Sequence, residues 1–431
     1  MAGRCWTPPR AEATTSPAPL SPPGAAATLP PVALYLHVPF CVSLCPYCDF
    51  VVYAGAEARG PRSRVGAFTD ALLAELSLRA DALDAAFPSR APLETVYLGG
   101  GTPTLLPSAA IASFLDLVRA RFGIAEGAEV TIEANPGADE RGTAADLAVA
   151  GVTRVSLGAQ AFDPGQLRRL GRRHRAADVA AAVREAHAAG IRSVSVDLLY
   201  DVPGQSVEAF GDALAQAVDL GVDHVSAYAL TLDDPDAEGL TGEDGDHLPT
   251  TPGARRWRAG AIREQDEERA AAQYLLAVER LAAAGFRGYE ISNWALPGRE
   301  SRHNLVYWQR RPYEAVGPGA HAFDGVVRRW NAARLDGSLR ALAGPGGTPR
   351  LPPGGSETVD AETAAAEAVI LALRLDTGLD PDRPGAAPLG PHLAWALDSG
   401  LLERTGTPDA PRVHLTTRGR LLSNELFSRI V

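Results

Sequence analysis

Three cysteines fall on one short stretch, Leu34 to Phe50, which reads L-Y-L-H-V-P-F-C-V-S-L-C-P-Y-C-D-F. Cys41, Cys45 and Cys48 are three of the four cysteines in the 431-residue chain. Thiolates this close can converge on one object, and soft sulfur ligands select zinc, copper(I) or an iron–sulfur cluster. A zinc tetrahedron needs a fourth ligand. His37 or the distant Cys5 could supply it, but no second C-x-x-C stands in the chain to pair with the first. Cys45-Pro46-Tyr47-Cys48 read alone is a redox dithiol pattern, which leaves Cys41 idle. A [4Fe–4S] cluster held by three cysteines uses all of them and leaves one iron open to a ligand. Spacing this tight does not suit a disulfide framework.

The elements that must present these thiols are legible around them. Val32 to Val38 is apolar, with β-branched and aromatic residues, and predicts a strand over Ala33–Val38. Pro39 ends it, which puts the cysteines on the following loop. Further strands are expected at Thr95–Leu98, Glu129–Glu133, Arg154–Leu157, Ser193–Leu199 and His224–Leu230. Amphipathic helices are expected between them, near Arg64–Leu83, Ser108–Phe122, Asp139–Ala150, Ala176–Ala189 and Val207–Leu220. Strands separated by helices of this length pair in parallel through crossovers. The fold class is therefore α/β, a complete or partial (β/α) barrel of the TIM type. Chemistry in such folds gathers where strands end and loops begin.

Those strand ends carry polar and glycine-rich runs. Gly99-Gly100-Gly101-Thr102-Pro103-Thr104 lets a backbone approach a ligand closely. Glu133-Ala134-Asn135-Pro136 places a carboxylate at the mouth, suited to a ribose hydroxyl or an ammonium group. Ser156-Leu157-Gly158-Ala159-Gln160, Leu170-Gly171-Arg172-Arg173-His174 and Asp197-Leu198-Leu199-Tyr200-Asp201 complete the set. Each run alone is ordinary, and together they form a constellation.

C-x-x-x-C-x-x-C with an aromatic before the third cysteine resembles the signature of the radical S-adenosylmethionine (SAM) superfamily. The runs Y-L-G-G-G-T-P-T, I-E-A-N-P, S-L-G-A-Q-A-F, L-G-R-R-H and D-L-L-Y-D-V-P-G-Q extend the likeness to the oxygen-independent coproporphyrinogen III oxidase family. The resemblance covers Leu34 to the C-terminus. It implies that Cys41, Cys45 and Cys48 hold a [4Fe–4S] cluster and that Tyr35, Gly100 and Glu133 meet cluster-bound SAM. It also matches Gly101, Thr102, Gln160, Arg172 and Asp197 to a second SAM site in the oxidase. Two departures separate this chain from the oxidase itself. Phe50 stands where the oxidase carries a fourth cysteine, and Asp49 replaces the intervening glycine. C-D-F, together with His303-Asn304-Leu305-Val306-Tyr307-Trp308, resembles the haem chaperone HemW branch instead. That branch implies haem as a third cofactor and apo-haemoproteins as clients, and His303 reads either as the iron ligand or as a structural histidine that satisfies a buried backbone carbonyl. Coproporphyrinogen III decarboxylation is the alternative function, from the enzyme class.

Composition bounds the rest. A hydrophobic content of 46% supports a large core, and a net charge of −11 excludes the basic face that nucleic-acid binding needs. All 41 basic residues counted as lysine plus arginine are arginine, a bias that fits a GC-rich genome better than a function. No apolar run is long enough to span a bilayer, and the N-terminus lacks a secretory core segment. Thiols without a disulfide framework fit a reducing cytoplasm. Peripheral membrane contact and a homodimer are compatible with the same resemblance.

Four regions follow. Residues 1–31, rich in Pro, Ala, Ser and Thr, read as a disordered leader. Residues 32–235 form the barrel, and 236–300 a helical extension with an acidic loop. There Arg255–Ala284 is expected to be one helix, with Glu264, Asp266, Glu267 and Glu268 on a solvated face. Gly317-Pro318-Gly319-Ala320-His321 predicts a tight turn near the barrel mouth. Residues 301–431 carry helices at Glu362–Leu373 and His392–Ser399, a strand at Val413–Thr416 and a last helix. That region reads as a small winged-helix-like α+β cap.

Overall fold

Period-two alternation explains how the chain builds a container. In the computed structural model, which describes residues 28–431 apart from 233, 345, 346, 383 and 408, the first strand alternates Leu34, Leu36 and Val38 with Tyr35 and His37. Tyr35 faces a central cavity, with His37 buried behind it on the Tyr35 hydroxyl and the Val51 carbonyl, and the first set is buried in the main core. Later strands repeat the division, with Val96, Val130, Val155 and Val194 in the core and Tyr97, Glu133, Arg154 and Asp197 on the cavity side. Successive side chains of a strand point to opposite faces, so one alternation lays down a dry outer layer and a polar interior.

The strands are β1 (Ala33–Val38), β2 (Leu93–Gly100), β3 (Ile124–Ala134), β4 (Arg154–Gln160), β5 (Ser193–Tyr200) and β6 (His224–Ala229), followed by β7 (Arg287–Gly288), β8 (Asn293–Ala295), β9 (Tyr313–Val316), β10 (His321–Phe323), β11 (Val327–Asn331) and β12 (Gly354–Thr358). They form one sheet in the order β12-β11-β10-β9-β1-β2-β3-β4-β5-β6-β8-β7. All pairings from β9 to β6 are parallel, and those at both flanks are antiparallel. The helices between parallel strands are α1 (Val65–Ala86), α2 (Ser108–Arg121), α3 (Ala144–Ala150), α4 (Pro164–Arg169), α5 (Ala176–Ala188) and α6 (Val207–Asp219). This is the expected α/β architecture of barrel type, left partial, because the strand order has two ends.

Beyond β6 the structure departs from the sequence reading in informative ways. The single helix expected over Arg255–Ala284 is two, α7 (Pro252–Ile262) and α8 (Glu267–Ala283). Asp266 makes the break by accepting the Arg269 amide at 2.8 Å, a cap that starts a new helix. Glu264, Asp266, Glu267 and Glu268 are exposed, as expected of a solvated face, and Asp266, Glu267 and Glu268 stand at the rim of the cavity. Strands β7 to β12 are two to five residues long, too short to show a period, yet they extend the sheet on both sides.

Helices α9 (Arg302–Trp308) and α10 (Leu335–Ala343) follow. A second core then gathers Val369, Leu373, Leu393, Leu402, Val413 and Phe427. It is built from α11 (Ala361–Arg374), α12 (Gly390–Asp398), the hairpin β13 (Leu402–Thr407) with β14 (Ala410–Leu415), and α13 (Thr417–Leu421) with α14 (Ser423–Ile430). The strand expected at Val413–Thr416 is one arm of that hairpin, which is the wing of a winged-helix-like cap. The expected leader lies outside the described residues except for 28–31.

Candidate functional site

A cavity of about 1190 Å³ opens at the C-terminal ends of the parallel strands and runs down through the sheet's concave side. Tyr35, Cys41, Cys45, Cys48, Gly100, Gly101, Glu133, Gln160, Arg172, Asp197 and His303 all line it. Thr102 is fully buried behind the wall, and its hydroxyl lies 3.4 Å from Cys41 Sγ. Every residue singled out from the sequence thus meets in one place. At this volume the cavity exceeds the range of a pocket for one drug-sized ligand.

The cysteine loop is fastened from four directions. His37 Nε2 reaches the Val51 carbonyl oxygen at 2.9 Å, and His37 Nδ1 the Tyr35 hydroxyl at 3.0 Å. A carbonyl only accepts, so Nε2 carries the proton and Nδ1 accepts from Tyr35. Burial holds this imidazole neutral, its pKa lowered to about 4. A short parallel pairing of Phe40–Cys41 with Tyr53–Ala54 closes the loop. From below, the Asn135 amide donates to Thr102 Oγ1 at 2.9 Å and to Glu140 Oε2 at 2.7 Å. Arg172 spans the Asn135 side-chain oxygen, the Gly158 carbonyl and, at 3.5 Å, Cys45 Sγ. From above, Arg258 of α7 donates to the carbonyls of Pro46 at 3.2 Å, Tyr47 at 3.4 Å and Cys48 at 2.9 Å.

The three sulfurs interact as charges, Cys48 with both Cys41 and Cys45. Among the described residues, no three metal-binding side chains are drawn together as around a single ion. Burial pushes the Cys41 thiol up to about 11 and the Cys48 thiol well above its ordinary range, so loading a metal centre releases protons. The glycine run lies flat against the loop's origin. A Cβ on Gly101 would stand 2.6 Å from the Phe40 carbonyl oxygen, and one on Gly100 2.4 Å from the His37 ring. Only glycine permits that approach. It also means that a side chain at Gly101 would disturb the Phe40–Cys41 backbone, not just a ligand resting on the turn.

Glu133 accepts from the Tyr97 hydroxyl at 2.7 Å and from the Gly100 amide at 2.9 Å. Burial raises its pKa to about 7 despite those bonds. The sign of the consequence follows from linkage. An acid with a raised folded pKa stabilises the fold below its unfolded value, near 4.5, and that contribution is lost as pH rises through 7. Glu133→Gln removes the titration. Wild type is expected to lose up to about 3 kcal/mol relative to the variant between pH 4.5 and pH 8, less where cavity water solvates the carboxylate. Thermal melts of both proteins across that range check this, and parallel curves would refute it.

Two non-glycine residues at strand ends, Gln160 with φ 66° and Asp201 with φ 54°, adopt left-handed backbone beside the cavity. Conformations of this kind cost of order 1–3 kcal/mol and cluster at functional sites. At the cavity floor, α9 is anchored by Glu129, which accepts the amides of Arg302 and His303, each at 3.0 Å. His303 Nδ1 meets Thr95 Oγ1 at 2.7 Å, and Nε2 meets the Tyr307 hydroxyl at 2.8 Å. Trp308 holds the Arg374 guanidinium of the cap over its ring at 4.4 Å. The H-N-x-x-Y-W run thereby joins floor and cap. Gly317–His321 turns at the C-terminal end of β9 beside β1, with Gly317 against the His37 carbonyl, Gly319 against Val51 and His321 on Asp246 at 2.8 Å.

Sequence reasoning did not find Tyr97, Asn135, Glu140, Arg154 or Arg258 as site residues. Polar residues at alternate positions of otherwise apolar strands were the available signal for Tyr97 and Arg154. Nothing local marks Arg258, whose role depends on where α7 lands.

The comparisons with known proteins agree with this geometry. Residues 35–217 match the Radical SAM superfamily. Heme chaperone HemW of Mycobacterium tuberculosis (strain ATCC 25618 / H37Rv) is 42% identical over 401 residues, covering 93% of this chain and 95% of the relative. Heme chaperone HemW of Escherichia coli (strain K12) is 38% identical over 311 residues, covering 71% of this chain and 75% of the relative. Among solved structures, coproporphyrinogen III oxidase (HemN) from Escherichia coli superposes with a TM-score of 0.74 at 22% identity, over 93% of this chain and 90% of that one, a likeness of fold. Identity of this extent, over almost the full length of both sequences, places the chain in the HemW family of the radical SAM superfamily.

Proposed function

We propose that this chain is a haem chaperone of the radical SAM type, which binds haem and passes it to apo-haemoproteins. Membership of the superfamily implies a [4Fe–4S] cluster and SAM. In this reading Cys41, Cys45 and Cys48 hold the cluster. Tyr35, Gly100 and Glu133 hold SAM at its open iron, Gly101, Gln160, Arg172 and Asp197 line the neighbouring space, and Thr102 supports that space from behind the wall. When bound, such a cluster supplies an electron to the sulfonium of SAM. The protein's own part is to bind, orient and exclude water. The observation that carries the proposal is the single cavity, with three thiols at its mouth and the H-N-x-x-Y-W residues His303, Asn304 and Tyr307 along its floor. Phe50, 62% exposed beside the cysteines, supports the chaperone over the oxidase, whose pattern has a fourth cysteine there.

The experiment is direct. Anaerobically reconstituted protein is titrated with haem and then mixed with an apo-haemoprotein, in parallel with a coproporphyrinogen turnover assay. Haem is expected to bind and transfer while coproporphyrinogen stays intact. Turnover without transfer would overturn the proposal.

Arg258 supplies a further test of the cluster assignment. Arg258→Ala strips the donors from three carbonyls of the cysteine loop, at about 1.5–3 kcal/mol for a charge-assisted bond. The reconstituted cluster is expected to lose iron to a chelator at least tenfold faster. Lysine, a point charge without the planar fork, should restore only part of the resistance. An unchanged rate would show that the loop holds without Arg258.

In the described residues no helix is long and apolar enough to cross a membrane.

A further inference from the structure

Arg154 is the group in the cavity that the proposed roles leave unused. It opens β4, is 3% exposed and lines the cavity floor, at the opposite end of the strand from Gln160. At roughly 3.3 Å per residue, its backbone stands on the order of 20 Å along the strand from that of Gln160, and its side chain is within electrostatic reach of Glu133 and Asp197. Its Nε is buried without a hydrogen-bond partner, and among the described residues no hydrogen bond or ion pair engages the rest of its guanidinium. Of its five donors the Nε–H is enclosed without a partner, while the two Nη groups are open to the cavity, where a ligand can meet them.

Its acidic neighbours do not meet that need. Glu133 is turned to Tyr97 and the Gly100 amide, and Asp197 accepts from Ser156 Oγ at 3.2 Å. Both carboxylates feel the arginine's charge without touching it. His303 lines the same cavity, and the arginine's charge disfavours the charged form of its imidazole.

We propose that Arg154 is a carboxylate anchor, which takes a propionate of the bound tetrapyrrole at the cavity floor. This rests on the haem-binding reading above. A porphyrin bound by its iron alone could turn about the iron–imidazole bond. A planar guanidinium paired with one carboxylate fixes both the rotation and the depth of insertion, with a geometry suited to two parallel N–H···O bonds. SAM also carries a carboxylate, and Glu133 and Asp197, which neighbour Arg154, are among the residues assigned to it. The test separates the two sources.

Haem and its dimethyl ester, in which both propionates are masked, are each titrated into wild-type, Arg154→Gln and Arg154→Lys protein. SAM binding, cluster absorbance and melting temperature are followed in the same samples. Arg154→Gln is expected to weaken haem about 10- to 100-fold, the scale of a lost charge-assisted bond. The dimethyl ester should bind wild type as weakly as haem binds the variant, and the variant should not discriminate between the two ligands. Lysine should recover part of the affinity for haem and none for the ester. Wild type binding haem and ester equally well would overturn the anchor while sparing the chaperone reading, and that arm needs no variant to fold. Arg154→Gln weakening SAM but not haem would overturn it in favour of the other carboxylate. Wild type binding neither porphyrin would remove the haem reading and the anchor with it.

Discussion

Alanine at Cys41, Cys45 or Cys48 is expected to leave the reconstituted protein without a cluster, whereas Cys5→Ala leaves the iron and sulfide content unchanged. Three thiolates complete a site-differentiated cluster, and two cannot hold it against dissociation. The three sulfurs are not interchangeable in their surroundings. Cys41 is set by Thr102, Cys45 by Arg172 and the Cys48 backbone by Arg258. Those supports belong to the protein and remain when a sulfur is removed, so the variants should melt like wild-type apoprotein. Iron and sulfide analysis of each variant, from about four of each per chain to almost none, reads the result. Cys5 lies outside the described residues, and only the sequence separates it from the loop. Equal loss of the brown chromophore in Cys5→Ala would mean that the fourth thiol is a ligand and the three-cysteine assignment wrong.

The sequence was most legible where the physics is local. The first six strands and five of the six helices between them lie within about five residues of their expected places, because burial on one face writes a period into the chain; the short α4 was not expected. Ala33–Val38 matches the structure at both ends, helped by Pro39. The cysteine, glycine and carboxylate runs stood at strand ends, and parallel strands carry their C-terminal ends to one side, so their meeting required only the topology. What escaped was non-local. Arg258 reaches back more than two hundred residues to carbonyls, and a carbonyl has no side-chain signature. The short strands from Arg287 to Thr358 are held by neighbours in the sheet rather than by their own pattern. The charges around Asp266 are exposed as expected, and the helix break that Asp266 caps was hidden among them because capping and solvation favour the same residue types.

His303→Ala is expected to abolish the Soret shift on haem titration and to lower the melting temperature by several degrees. The second effect follows from the structure alone. The ring is 1% exposed, both nitrogens are hydrogen-bonded and burial lowers its pKa to about 3, so it is a neutral post in the floor. Deleting it opens a cavity and orphans two hydroxyls, about 2–4 kcal/mol together. The first effect requires one nitrogen to be released. In the tautomer that carries its proton on Nδ1 and donates it to Thr95, the Nε2 lone pair faces the Tyr307 hydroxyl, and the partner on Nδ1 orients the ring as in other metal-bound histidines. Haem iron would then compete with a single hydroxyl, which costs about 1 kcal/mol to displace. Tyr307→Phe removes that competitor while leaving His303 on Thr95. It should bind haem as tightly as wild type or up to about fivefold more tightly, at a small cost in stability. Haem binding that survives His303→Ala and is indifferent to Tyr307→Phe would reduce the histidine to its structural role and move the iron ligand elsewhere in the cavity.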